Sequence, residues 1–291
     1  MCKQMQTQWA EISVESPQES AEAVSGLMLE FGCHGVAEHG SAIRTIVGFL
    51  PVTDQLPAIL DDLESRFQSM PEYGLPAVAG LTLKYSQDTD WANEWKKYFK
   101  PMEIGNRLVI KPSWEDYAGG SDRIAVEIDP GQAFGTGGHQ TTRLCLKCLD
   151  KYVEPGMVVA DIGTGSGILA IAAAKLGASL VHATDIDELP RRIARENVTR
   201  NDLDGVVIIH DMGPFDGAAV NCDLVVANII ALTIIELTQS IHDRIKPGGL
   251  FISSGIVDDR VDEVIEALTA AGFQILEVQE EEIWRAVVAR K

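Results

Sequence analysis

Long hydrophobic runs are missing from this 291-residue sequence. The two most apolar stretches, Ile162–Ala174 and Leu224–Ile235, fall short of the ~18 consecutive residues a membrane span requires. Cysteine is scarce. Five residues at irregular spacing (2, 33, 145, 148 and 222) cannot build a disulfide framework in a chain this long, and read as reduced thiols. Cys145-x-x-Cys148 has no second pair, and the six histidines (34, 39, 139, 182, 210 and 242) show no catalytic or metal spacing, so no metal is expected. The opening Met1-Cys2-Lys3-Gln4-Met5-Gln6 lacks the apolar core of a secretory signal, which leaves the expectation of a soluble cytoplasmic protein. Basic residues are outnumbered 24 to 43, a formal charge of −19 with no basic stripe. Such a surface repels phosphate backbones and attracts cationic partners, so no direct nucleic-acid or membrane binding is expected.

What is present is ordinary globular composition, 46% hydrophobic and 23% charged, in enough chain for roughly two domains of ~150 residues. Residues 1–86 alternate short elements in the order β-α-β-β-α-β. Strands are expected near Trp9–Val14, Gly35–Glu38, Arg44–Leu50 and Leu81–Tyr85, with helices from Ser16-Pro17 to Phe31 and from Asp54 to Met70. That order is the ferredoxin-like split βαβ pattern. The block carries four basic residues (Lys3, Arg44, Arg66, Lys84) against eleven acidic ones and no RNA-recognition signature, so a protein partner fits it better than an RNA. In residues 87–102, Trp91, Trp95 and Tyr98 fall at helical spacing and read as an amphipathic linker helix.

Residues 103–291 form the second block. Short strands are expected at Arg107–Pro112 and Arg123–Asp129. Strands at Met157–Ile162, Leu180–Thr184, Val206–His210, Asp223–Ala227 and Leu250–Ser254 then alternate with helices near Gly167–Leu176, Glu188–Asn201 and Leu232–Ile245. Such alternation implies a parallel sheet covered on both faces. A helix at Asp258–Ala271 leads to two strands, Phe273–Val278 and Ile283–Ala289. They are close enough in sequence to pair antiparallel.

Asp161-Ile162-Gly163-Thr164-Gly165-Ser166-Gly167 lies where the first parallel strand meets its helix. Glycines there allow a tight turn and close approach of a ligand. A dinucleotide fingerprint would need glycine at 168, which is Ile168. A phosphate-cradling loop would need a following lysine, which is absent. Asp185 ends the next strand, where a carboxylate can accept from both ribose hydroxyls and would reject a 2′-phosphate. Asp161 suits a ligand with a cationic amino group and a sulfonium. The set, with Gly163, Gly165 and Gly167, favours S-adenosylmethionine over NAD. Asp211, after the third strand, is placed to meet an adenine amino group or is an ordinary turn residue. Asn228, at the tip of the fourth parallel strand, either caps the next helix or holds an amine against the donor. A last segment, Asp129–Thr142, carries four glycines in eight residues, the composition of a loop that closes over ligands. His139 is its only histidine.

On these segments the sequence resembles the ribosomal protein L-eleven methyltransferases (PrmA) over nearly its whole length. The resemblance runs through Trp91, Trp95, Phe99, Pro101, Pro112, Trp114, the Asp-Pro-Gly-x-Ala-Phe-Gly-Thr-Gly loop, Asp161–Gly167, Asp185–Asp187 and Ala227-Asn228-Ile229. It implies a substrate-recognition domain, a linker helix and a Rossmann-like, seven-stranded class I methyltransferase domain. It also implies donor contacts at Thr142, Gly163, Asp185 and Asn228, with S-adenosylhomocysteine as product. The expected reaction is methyl transfer to lysine or N-terminal amines of a basic ribosomal protein, with Asn228 positioning the amine and Phe134 walling the transfer channel. Gly138 and Gln140 stand where the family's Gly-Thr-His-Pro-Thr-Thr has Thr and Pro, and Thr164 replaces a frequent Cys. The rivals are a nicotinamide dehydrogenase, a methyltransferase for nucleic acid or a small molecule, and a binding module with a vestigial pocket.

Overall fold

The computed structural model describes residues 9–33, 36–40, 43–73, 75–78, 80–86, 99–120, 122–129, 137–211 and 221–291. The linker segment with Trp91 and Trp95, and Phe134 in the glycine-rich loop, lie outside the described residues. The described residues divide into two compact units, one up to Lys100 and one from Pro101.

In the first unit β1 (Trp9–Pro17) alternates as the sequence does, with Ala10, Ile12 and Val14 buried. α1 (Gln18–Glu30), β2 (Val36–Gly40), β3 (Ile43–Pro51), α2 (Leu56–Ser69) and β4 (Leu81–Ser86) follow. The strands pair antiparallel in the order β2-β3-β1-β4, the ferredoxin-like arrangement. α1 ends where Gly32 takes a left-handed φ of 93° and the Cys33 amide donates back to the Met28 carbonyl at 2.9 Å. Met28, Val24, Leu63 and Phe67 pack against Ile12 and Ile46. A Cβ at Gly48 would lie 2.7 Å from Met28 Cε and 3.0 Å from Cys33 Sγ, so a larger residue there would make those side chains give way. Pro17 both closes β1 and stands at the N-cap of α1, so the helix opens where the sequence places it.

The second unit opens with a small sheet of β5 (Met102–Ile104), β6 (Leu108–Lys111) and β7 (Ile124–Glu127). β5 is not foreseen by the sequence, because three residues are too few to show alternation. α3 (Gln140–Tyr152) then leads into β8 (Val158–Ile162), α4 (Ile168–Lys175), β9 (Leu180–Thr184), α5 (Glu188–Arg200), β10 (Val207–His210), β11 (Cys222–Asn228), α6 (Ala231–Arg244), β12 (Ile245–Val257), α7 (Val261–Ala270), β13 (Gln274–Glu281) and β14 (Trp284–Arg290).

Their sheet runs β10-β9-β8-β11-β12-β14-β13, with only β14 antiparallel to its neighbours. α4 is buried from Ile168 to Ala174, and its run of alanines lets it lie flush on the strands. β12 extends beyond the expected Leu250–Ser254: Ile245 pairs with Cys222 and Leu250 with Leu224, so Lys246–Gly249 bulge between the two pairs, and Ile256 and Val257 pair with Arg285 and Trp284. A 3₁₀ turn (Asp258–Arg260) occupies the start of the expected last helix. Among the described residues no helix is long and apolar enough to cross a membrane. The order of strands reverses between β8 and β11, and in open parallel sheets ligands bind outside the carboxyl ends of the strands at such a switch point.

Candidate active site

The turn after β8 is built on left-handed glycines, with φ of 73° at Gly163, 55° at Gly165 and 85° at Gly167. The amides of Gly163 and Thr164 both donate to the Thr184 carbonyl at 2.9 Å, which ties the turn to the end of β9. A Cβ on Gly163 would come 2.6 Å from Ile229 Cγ2, and one on Gly167 3.2 Å from Ala194 Cβ. The first and third glycines therefore serve packing against the chain beyond β11 and against α5. The Gly165 amide points elsewhere and donates to Asp185 Oδ2 at 3.0 Å.

Asp161, the fourth residue of β8, is fully buried. Its Oδ2 accepts from the Thr164 hydroxyl at 2.6 Å and the Ala170 amide at 3.1 Å. Oδ1 is buried without a hydrogen-bond partner among the described residues. Burial pushes the Asp161 pKa up to about 7 against the lowering effect of those two bonds, and the Asp185 charge pushes the same way. Thr164, a departure from the family pattern, thus supplies a hydroxyl that a thiol would replace only with a weaker donor.

Asp185 follows the last residue of β9, half-buried, with Oδ1 accepting from the Asp187 amide at 3.1 Å. Next to it Ile186 is 75% exposed, an apolar face at a strand end. Arg191 was not singled out by the sequence. Its Nη1 donates to the carbonyls of Asp185 and Ile186 at 2.8 and 2.9 Å and fixes the path of this loop. Asp211 pairs with Arg195 and is largely exposed.

On the other side of β8, Asn228 ends β11. Its Nδ2 lies 3.4 Å from Thr142 Oγ1. Asn228 does not cap α6, whose N-cap position is Ile230, two residues on and 66% exposed. Thr142 is fully buried in the first turn of α3. His139 is the N-cap of that helix, with Nδ1 accepting from the Thr141 amide at 3.3 Å and lying 2.8 Å from the Thr141 hydroxyl. Trp284, the first residue of β14, sets its ring edge-on to His139 with centroids 5.2 Å apart. Neither the cap nor the tryptophan was anticipated. Gly255 was missed as well, though a glycine inside a strand is a readable signal. Its φ is +86°, and a Cβ there would sit 2.3 Å from the Ile229 carbonyl oxygen.

Asp161, the glycine turn, Asp185 and Asn228 therefore lie at the carboxyl ends of β8, β9 and β11, and two pairs, Asn228–Thr142 and Gly165–Asp185, touch, whereas Asp211 lies exposed beyond β10. The family model for Ribosomal protein L11 methyltransferase (PrmA) matches residues 8–291. The chain belongs to this family. It is 38% identical to the ribosomal protein L11 methyltransferase of Caldicellulosiruptor saccharolyticus, over 97% of this chain and 99% of that protein. To that of Clostridium botulinum it is 41% identical, over 96% and 90%. The crystal structure of the ribosomal protein L11 methylase of Lactobacillus delbrueckii subsp. bulgaricus superposes with a TM-score of 0.61 at 34% identity, covering 66% of this chain and all of that one.

Proposed function

We propose that this methyltransferase moves methyl groups from S-adenosylmethionine to lysine or N-terminal amines of ribosomal protein L11. The observation that carries the donor assignment is Asp161 Oδ1, a buried carboxylate oxygen at the glycine turn with no hydrogen-bond partner among the described residues. Such an oxygen is costly to bury unless a donor group meets it. The ammonium of the donor's amino-acid end supplies one. Asp185 would hold the ribose hydroxyls, Ile186 would cover a face of the adenine, and the tight turn at Gly163–Gly167 would let the backbone approach the nucleoside. The donor brings an electrophilic methyl on a cationic sulfur.

The chain's own work is to present a neutral amine to it. A lysine with pKa ~10.4 is protonated at neutral pH and carries no lone pair for attack. A water-poor cleft beside a cation lowers that value, because both effects disfavour the ammonium. The Asn228 amide is oriented by its Nδ2 contact with Thr142, which leaves Oδ1 to accept from an incoming amine N–H. The outcome expected on incubation with donor and ribosomal protein L11 is the appearance of mass increments of one methyl on lysine or the N-terminus, read by mass spectrometry. Label on ribosomal RNA with none on the protein would overturn the proposal.

Asp185→Ala is expected to raise the dissociation constant for S-adenosylhomocysteine by roughly 10- to 100-fold, since hydrogen bonds to a charged group are worth about 1.5–3 kcal/mol. Isothermal calorimetry checks it, and an unchanged constant removes Asp185 from the ribose.

A further inference from the structure

The C-terminal hairpin reaches back to the first turn of α3 through its acidic turn. β13 ends at Glu281, and Glu282 bends the chain in a left-handed conformation with φ of 54°. Glu281 Oε1 accepts from Arg143 Nε at 2.7 Å and also from Nη2, and Oε2 accepts from Lys147 Nζ at 2.8 Å. Glu282 Oε2 accepts from Gln140 Nε2 at 2.8 Å. Arg143 Nη1 in turn donates to the Gly138 carbonyl. Two adjacent carboxylates thus hold positions 138, 140 and 143, which bracket Thr142, the residue that meets Asn228. The acceptor on one side and the donors on the other are some 140 residues apart in sequence, so the contact is made only by the completed fold. Gln140 and Gly138 are the two positions where this chain departs from the family loop. A proline at 140 could not make the bond to Glu282.

We propose that Glu281 and Glu282 are positioning residues for the methyl donor: the hairpin turn fixes the start of α3 and so holds the Thr142–Asn228 pair in place for the donor. This rests on the donor reading given above. The Glu281 carboxyl is pulled down by burial's opponents: burial raises its pKa, and the bonds and charges of Lys147 and Arg143 outweigh it, so the group is ionised and the tether is present throughout the neutral range.

The same helix and strand are joined a second time, away from the site, by Lys151 and Glu277. That pair separates donor positioning from simple attachment of helix to sheet. In the full-length protein, Glu281→Ala is expected to weaken S-adenosylhomocysteine binding roughly 3- to 30-fold, the range for residues that act through a network. Glu282→Ala should follow in the same direction, and Glu281→Gln, which keeps an acceptor for Arg143, should recover most of the affinity. Amide hydrogen exchange at residues 139–143 should quicken in Glu281→Ala. Lys151→Ala should leave both the affinity and that exchange unchanged. If Glu281→Ala binds as the unaltered protein does, or if Lys151→Ala weakens binding to the same degree, the positioning role is overturned while the donor reading stands. If the unaltered protein does not bind S-adenosylhomocysteine, the donor reading falls and this inference falls with it.

Discussion

Asp161→Asn is expected to make the ligand-free protein more stable at pH 8 and to strip it of donor binding. The Asp161 carboxyl titrates near 3.8 when unfolded and at about 7 in the fold. Between those values the folded chain holds a proton that the unfolded chain has released, so stability falls as pH rises from about 4 to about 7 and is level above. Roughly three pKa units correspond to an upper bound of about 4 kcal/mol of destabilisation at pH 8. An asparagine keeps an acceptor for Thr164 and Ala170 and carries no charge, so it recovers much of that sum. Urea denaturation at pH 5 and pH 8 checks it: the variant's advantage should be larger at pH 8. An equal difference at both values, or a variant less stable at pH 8, would refute the argument.

The same charge is what a cationic ligand needs. Removing one partner of a buried ion pair costs about 3–5 kcal/mol, so the variant's dissociation constant should rise by more than ~100-fold. In the unaltered protein donor affinity should climb with pH through about 7, where Asp161 is half-ionised, and level off about one pH unit above.

Asn228→Ala should reduce turnover by about two orders of magnitude at saturating donor, with a smaller change in donor affinity. Nothing in the alanine variant accepts from the amine or engages Thr142, and a misplacement of the reacting groups by ~1 Å can cost about 100-fold. Single-turnover kinetics separate the transfer step from binding and release. Full turnover by the variant would remove Asn228 from the reaction. Loss confined to donor affinity would make it a binding residue only.

The sequence was most legible where one periodicity ran unbroken. β9 spans Leu180–Thr184 as its alternating pattern indicates, and α5 starts at Glu188 and ends one residue short of expectation. The glycine turn was readable too, because three glycines in five positions answer a local need for left-handed backbone. What escaped was set by contacts distant in sequence. His139 as a helix cap, Arg191 on the Asp185 loop and Trp284 beside His139 depend on which elements become neighbours, and no spacing encodes that. The acidic run Gln279–Glu282 read only as the connection joining the last two strands. In the fold it extends β13 and grips α3, because α3 presents Gln140, Arg143 and Lys147 to it.

β14 lies between β12 and β13, with Val287 and Val288 fully buried. β14 therefore takes an interior place although it follows the outer strand β13 in the chain. Until residues 284–290 have left the exit tunnel, β12 presents a bare edge to other nascent chains, and unpaired edges invite aggregation. Trimming those residues would open a gap within the sheet and leave β13 without its strand neighbour among the described residues.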